Sequence, residues 1–147
     1  MSDFATSTER GAEWQPGRVL EELAFVYLPS DDVAGELPHY VDQLGAEVVW
    51  AIERFGTRVA QLQMPGDGPL LLLAQHLHGD RPVLIYRVPD LAAAEAELAR
   101  RGATTGERFG FPDGDAVEVE LPGPQRVAVY ERTRPDRAAS IVGRRDF

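Results

Sequence analysis

The stretch LIYRVPDLAAAEAELARRGA, residues 84–103, reads as a strand followed at once by a capped helix. Branched and aromatic residues run to Val88, Pro89 breaks the run, and Asp90 offers a side-chain acceptor to the first free N–H groups of a helix. Leu91, Ala94 and Leu98 then recur at helical spacing, and Gly102 is a natural stop. The same pattern occurs earlier. In FVYLPSDDVAGELPHYVDQLGA, residues 25–46, a tyrosine-bearing strand ends at Pro29, and Ser30, Asp31 and Asp32 supply caps. Val33, Leu37, Tyr40, Val41 and Leu44 follow at helical spacing, with Gly45 as the stop. Pro38 is expected in the first turn of this helix or at a kink in it. Self-similarity at a fixed distance marks a duplicated unit.

Working outward, each helix is followed by three strand-like segments. After the first come AEVVWAIER (46–54), RVAQLQM (58–64) and PLLLLAQHL (69–77), divided by the turns FGT and PGDGP. After the second come ERFGFP, DAVEVEL and QRVAVYE, divided by PDG (112–114) and PGP (122–124). The expected order is strand–helix–strand–strand–strand, twice, in an α+β chain. Residues 1–19 are polar and read as an arm. Residues 20–135 form the domain, with modules at about 20–79 and 80–131. The arginine-rich stretch 136–147 is left as a tail without a pattern.

Composition removes several chemistries. The 147 residues contain no cysteine, which excludes disulfides, thiolate nucleophiles and iron–sulfur clusters. All 15 basic residues are arginine, so a Schiff base and a P-loop are both excluded. None of the four serines lies in a G-x-S-x-G turn. A formal charge of −9 repels nucleic acid phosphates, so no nucleic-acid partner is expected. There is no apolar run of membrane-spanning length, and MSDFATSTERGAEW lacks a leader pattern. The expectation is a soluble, cytoplasmic protein with no membrane partner.

Two of the three histidines, His76 and His78, stand two residues apart at the end of an apolar run. On a strand such a pair shares one face, a start for a metal site that Glu118 or Glu120 would complete. The alternative is a polar strand end leading into the GDRP loop, and that reading is preferred.

The chain resembles the vicinal oxygen chelate superfamily, which includes glyoxalase I, bleomycin-resistance proteins and extradiol dioxygenases. Three segments carry the resemblance: HYVDQLGAEVV, VLIYRVPDLAAAEAELARRGA and LPGPQRVAVYERTRP. Leu121 and Pro124 depart from the family's Asp-Pro-Asp-Gly closing motif. The resemblance implies two βαβββ modules forming an eight-stranded incomplete barrel around a cleft, helices outside, and commonly a homodimer. It also implies where metal-using members hold their ligands. Those positions fall at Phe25, at Val83, at Ala128 and near Leu72 or Ala74. None of these side chains has a lone pair to donate, so no metal and no cofactor are expected.

Strand alternation then assigns the cleft. Phe25 and Tyr27, Val83 and Arg87, and Ala128 and Tyr130 should face inward, joined by Gln61, Gln63, Trp50 and His76. An apolar, aromatic pocket with a few polar fixtures suits a small-molecule ligand. The expected function is metal-independent binding that sequesters an aromatic or amphipathic ligand, as in the bleomycin-resistance branch. One alternative is a lyase, isomerase or dioxygenase acting on an oxygenated small molecule. It would use a metal at His76 and His78, or acid–base work by His76, Tyr27, Tyr130 or Glu118. Another is a structural or regulatory module whose cleft is filled.

Overall fold

A computed structural model describes residues 18–147. Asp32 opens helix α1 (Val33–Pro38) by accepting from Gly35 N at 3.0 Å, and Asp90 opens α2 (Leu91–Arg100) by accepting from Ala93 N at 2.9 Å. Pro38 ends α1 rather than starting it. Beyond it the chain winds more widely, as a π-helix over His39–Gln43. The first helix is therefore shorter than its apolar spacing suggests.

Eight strands surround these helices in sequence: β1 (Leu23–Pro29), β2 (Glu47–Arg54), β3 (Thr57–Gln63), β4 (Leu70–Ala74), β5 (Val83–Arg87), β6 (Thr105–Phe111), β7 (Gly114–Val119) and β8 (Arg126–Arg132). They form one sheet in the order β2-β3-β4-β1-β5-β8-β7-β6. β1 runs parallel to β4, and β5 runs parallel to β8. The two modules meet where β1 and β5 pair antiparallel, Phe25 opposite Ile85 and Tyr27 opposite Val83. The duplicated βαβββ pattern is thus an eight-stranded incomplete barrel.

Three apolar clusters follow from strand alternation. Leu37, Ala60 and Leu62 are among those packed on the first-module helix side, while Val88, Ala94 and Val129 pack beside α2. The third cluster occupies the concave face and includes Phe25, Tyr27, Trp50, Val83, Ala128 and Tyr130. Ala24 also reaches this face, because the β1–β5 register shifts between Leu23 and Phe25. Val19 and Leu20 pack against the α2 cluster. Residues 1–17 of the expected arm lie outside the described residues.

Two expectations need correction. β4 ends at Ala74, so His76 lies in a turn and His78 in the following loop, and the same-face argument for the pair fails. Ala74 faces Pro29, the last residue of β1, and the parallel ladder stops there. The second correction concerns the tail. Pro135, suited to the first turn of a helix, opens α3 (Pro135–Ile141). Arg134 fastens this helix to the β6–β7 hairpin, donating to Phe111 O at 2.9 Å, Gly114 O at 3.1 Å and Asp115 Oδ1 at 3.0 Å. Residues 143–146 then run along β2. Gly143 N donates to Val49 O, Ala51 N to Arg144 O and Asp146 N to Ala51 O, at 2.8 to 2.9 Å. The Arg58 guanidinium lies 5.0 Å from the centre of the Phe147 ring. No helix among the described residues is long and apolar enough to cross a membrane.

Candidate functional site

The middle of the half-barrel is solid. Phe25, Tyr27, Phe109, Phe111 and Tyr130 pack as tilted or edge-to-face rings with centroids 5.1 to 5.8 Å apart. Edge-to-face contact matches the positive rim of one ring to the negative face of another. Gly114 makes this packing possible, since a Cβ there would come within 2.8 Å of the Tyr130 ring and 2.0 Å of Glu131 O. The ring cluster divides the cleft into two ends.

At the end where β1 begins and β5 finishes lies a cavity of about 550 Å³. Phe25 and Trp50 form its apolar wall, Gln61 and Arg87 reach it from β3 and β5, and Ala138 and Val142 bound it from the C-terminal segment. Its charged groups are largely paired. Arg87 Nη1 lies 3.1 Å from Glu22, and Arg132 Nε lies 3.5 Å from Asp113. One buried polar atom at this end, Arg87 Nε, has no hydrogen-bond partner. Burial pushes the Tyr130 phenol up. The Asp113 carboxylate, as hydrogen-bond acceptor and as a charge, pushes it further, while Arg132 and Arg87 oppose the shift.

The opposite end holds a recess of about 160 Å³. Tyr27 Oη lies 3.0 Å from His76 Nε2, and Thr57 Oγ1 lies 3.3 Å from His76 Nδ1. Burial, helped by His78, holds the His76 imidazole below its ordinary value, so it is neutral at pH 7. Tyr27 is pushed up to about 12, mainly by burial, with Glu107 adding to the shift and Arg126 opposing it. One nitrogen of the neutral ring carries the proton and donates while the other accepts, so Tyr27 and Thr57 take opposite roles on the two faces of one tautomer. Close by, Arg126 forms a two-pronged pair with Glu118 at 3.1 and 3.2 Å and donates to His78 O at 2.6 Å.

The expected site residues are thus spread over four places. Phe25, Trp50, Gln61 and Arg87 line the large cavity. Val83 and Tyr130 lie in the concave cluster, both 0% exposed. Tyr27 and His76 sit at the opposite end. Gln63 turns to a separate surface recess, where its amide donates to Met64 O at 3.2 Å. Sequence reasoning missed Glu22, Asp113, Arg132, Ala138 and Val142. Asp113 was visible as part of the PDG turn, but nothing in the tail's composition signalled that Ala138 and Val142 would fold back over the cleft.

The residues present do not fit a metal. Phe25, Leu72, Ala74, Val83 and Ala128 are all buried in the concave cluster and offer no donor. Both His76 nitrogens are engaged, and Glu118 is committed to Arg126. Among the described residues no group of three or more His, Cys, Asp or Glu could hold an ion.

No family model matches the chain, and no curated protein does. Solved structures do. A methylmalonyl-CoA epimerase from Mycobacterium tuberculosis is 23% identical, with a TM-score of 0.64, covering 86% of this chain and 97% of its own. A homoprotocatechuate 2,3-dioxygenase from Brevibacterium fuscum is 28% identical, with a TM-score of 0.56, covering 78% of this chain and 33% of its own. A Streptomyces coelicolor methylmalonyl-CoA epimerase bound to 2-nitronate-propionyl-CoA is 15% identical, with a TM-score of 0.61, covering 76% of this chain and 94% of its own.

Proposed function

From the premise that the chain has the vicinal oxygen chelate fold, we propose that it is a metal-independent binding protein that sequesters an aromatic or amphipathic small molecule. One observation carries this reading. The cleft holds a cavity of about 550 Å³ with Phe25 and Trp50 in its wall, a size and lining suited to a small organic molecule. Affinity would come from burying an apolar body against these rings, and orientation from Arg87 and Gln61.

Two measurements test it. Protein purified without chelator should carry no stoichiometric metal by elemental analysis, and a tightly bound equivalent would end the reading. Ala138→Trp, which places an indole in the cavity, should abolish uptake of small aromatic probes while the protein stays folded. Undiminished uptake would place binding elsewhere.

A second reading draws on the neighbours, which include an epimerase and a dioxygenase. In it the protein is an enzyme acting on an oxygenated small molecule, with His76 and Tyr27 as acid–base groups. Both groups already have partners, and the recess beside them is small. Replacing His76 by Ala would abolish turnover under this reading and leave ligand binding intact under the first. The filled-cleft module accounts for the ring cluster but not for the open cavity beside it.

A further inference from the structure

Gln61 is the polar exception in an apolar row. Across the concave face it stands between Trp50 on β2 and Leu72 on β4, its direct partners in the two ladders. Those neighbours are 2% and 1% exposed and belong to the concave cluster. Gln61 itself is half-buried and lines the large cavity, and its carboxamide has no partner among the described residues. Gln63, two positions on, bonds to Met64 O and faces a different recess. Two further features converge on Gln61. The β2–β3 register shifts between Val48 and Trp50, a bulge that brings Trp50 opposite Gln61 on the concave side. Val49, the bulged residue, accepts from Gly143 N at 2.8 Å, and Ala138, Ala139 and Val142, just before Gly143, bound the same cavity.

A glutamine at this position gives up the packing that a leucine or valine would add, and it gains no hydrogen bond from the protein in return. Its amide is reachable from the cavity, so the bonds it lacks are open to a ligand. The charged groups around it are engaged or peripheral. Glu22 pairs with Arg87 and Asp113 with Arg132, while Asp67 stands in the exposed turn 65–68 at the rim. A charged ligand has to break one of those pairs or reach out to Asp67; a neutral one does neither. A primary carboxamide presents an N–H donor and a C=O acceptor side by side. A ligand edge carrying both, in the reverse order, forms two bonds to it at once. A lone acceptor or a lone donor forms one.

We propose that the ligand of this cavity is a neutral, planar ring with adjacent N–H and C=O groups, a lactam, that pairs edge to edge with the Gln61 carboxamide over the floor formed by Phe25 and Trp50. This rests on the binding function proposed above and adds the chemical class of the ligand. Leu23, Ala24, Pro112, Ala138 and Val142 also line the cavity and carry no side-chain donor or acceptor, so Gln61 sets the orientation of a neutral guest.

The test uses the full chain and four bicyclic probes. Carbostyril carries both lactam groups, N-methylcarbostyril the carbonyl alone, indole the N–H alone, and tryptamine adds an ammonium to indole. Binding is followed by two-dimensional NMR through the Gln61 side-chain amide and the Trp50 indole signals. Carbostyril should bind about tenfold more tightly than N-methylcarbostyril or indole, the effect of one additional hydrogen bond. Gln61→Met keeps the length of the side chain and removes both polar groups, so the three neutral probes should then bind alike. Gln61→Glu keeps an acceptor and removes the donor, and should weaken carbostyril by about tenfold. Unchanged signals away from the cavity confirm that each variant is folded.

Equal affinity for the three neutral probes, unaltered in Gln61→Met, would overturn the lactam while leaving the binding function standing. A preference for carbostyril that survives in Gln61→Met would overturn the role of the carboxamide. Tightest binding by tryptamine would assign recognition to the Asp67 carboxylate and overturn the proposal as well. If none of the four probes perturbed Trp50 or Gln61, the lactam and the binding function would fail together.

Discussion

The two ends of the cleft are built from the same strands and closed by opposite means. At the His76 end, Tyr27, His76, Thr57, Arg126 and Glu118 use one another's donors and acceptors. At the Arg87 end lies a cavity about three times larger, walled by Phe25 and Trp50. A satisfied network stiffens a wall. The histidines that first attract attention in the sequence therefore lie at the closed end, and the open end is marked by residues of less obvious chemistry.

The sharpest way to break this contrast is to remove the partition. Phe111 touches the rings of Phe25, Tyr27 and Tyr130 and is 7% exposed. Phe111→Ala should cost about 3–5 kcal/mol in urea unfolding and join the two spaces. A loss below about 1 kcal/mol would mean that the ring cluster does not hold the modules together.

Next in size is the wall at the closed end. Glu118→Ala leaves the half-buried Arg126 guanidinium without its main carboxylate and should cost about 1–3 kcal/mol by the same measurement. Affinity for small aromatic probes should be unchanged, because Glu118 does not line the large cavity.

The pH dependence of that wall has a definite sign. His76 binds its proton less readily when folded than when unfolded. Above the ordinary histidine value both states are neutral and its contribution is constant. As the pH falls through that value the unfolded chain takes up the proton first, and protonation in the folded state turns the ring's accepting nitrogen into a donor. Stability should therefore fall on acidification from about pH 7 to 5. His76→Gln should flatten this part of a melting-temperature profile. An unchanged profile would show that the imidazole is indifferent to its surroundings. The paired carboxylates Asp115 and Asp146, held below the ordinary range by Arg134 and Arg144, lose their contribution only at lower pH, so the two effects separate.

The smallest effect lies outside the comparison and calibrates it. Phe55 is 98% exposed at the β2–β3 turn with φ +52°, followed by Gly56 at φ +74°. This left-handed pair favours Asn-Gly. Phe55→Asn should raise stability by about 0.5–1 kcal/mol with no effect at either end of the cleft.

Much of this architecture was legible in the sequence because it rests on local rules. The Asp90 cap, the Leu91–Ala94–Leu98 stripe and the alternation of Phe25 and Tyr27 with outward residues each depend on a few neighbouring positions. The two halves then confirm one another. What was not legible depends on distant contacts. The segment PLLLLAQHL reads as one strand through His76, but the ladder ends where Pro29 ends its neighbour. Gln61 and Gln63 share a strand face by parity, yet only Gln61 reaches the cavity. The C-terminal arginines show no pattern in the sequence. Arg134 instead spends its guanidinium on backbone carbonyls of the β6–β7 hairpin, a role no composition can reveal.

The strip formed by residues 143–146 has a consequence for how copies of this chain can meet. An open sheet offers two flanks, and flanks at both sides let molecules add end to end without limit. Here the outer flank of β2 is already taken along Val49–Glu53 by the chain's own last residues. Among the described residues, β6 is the end strand of the sheet whose outer flank stays unpaired.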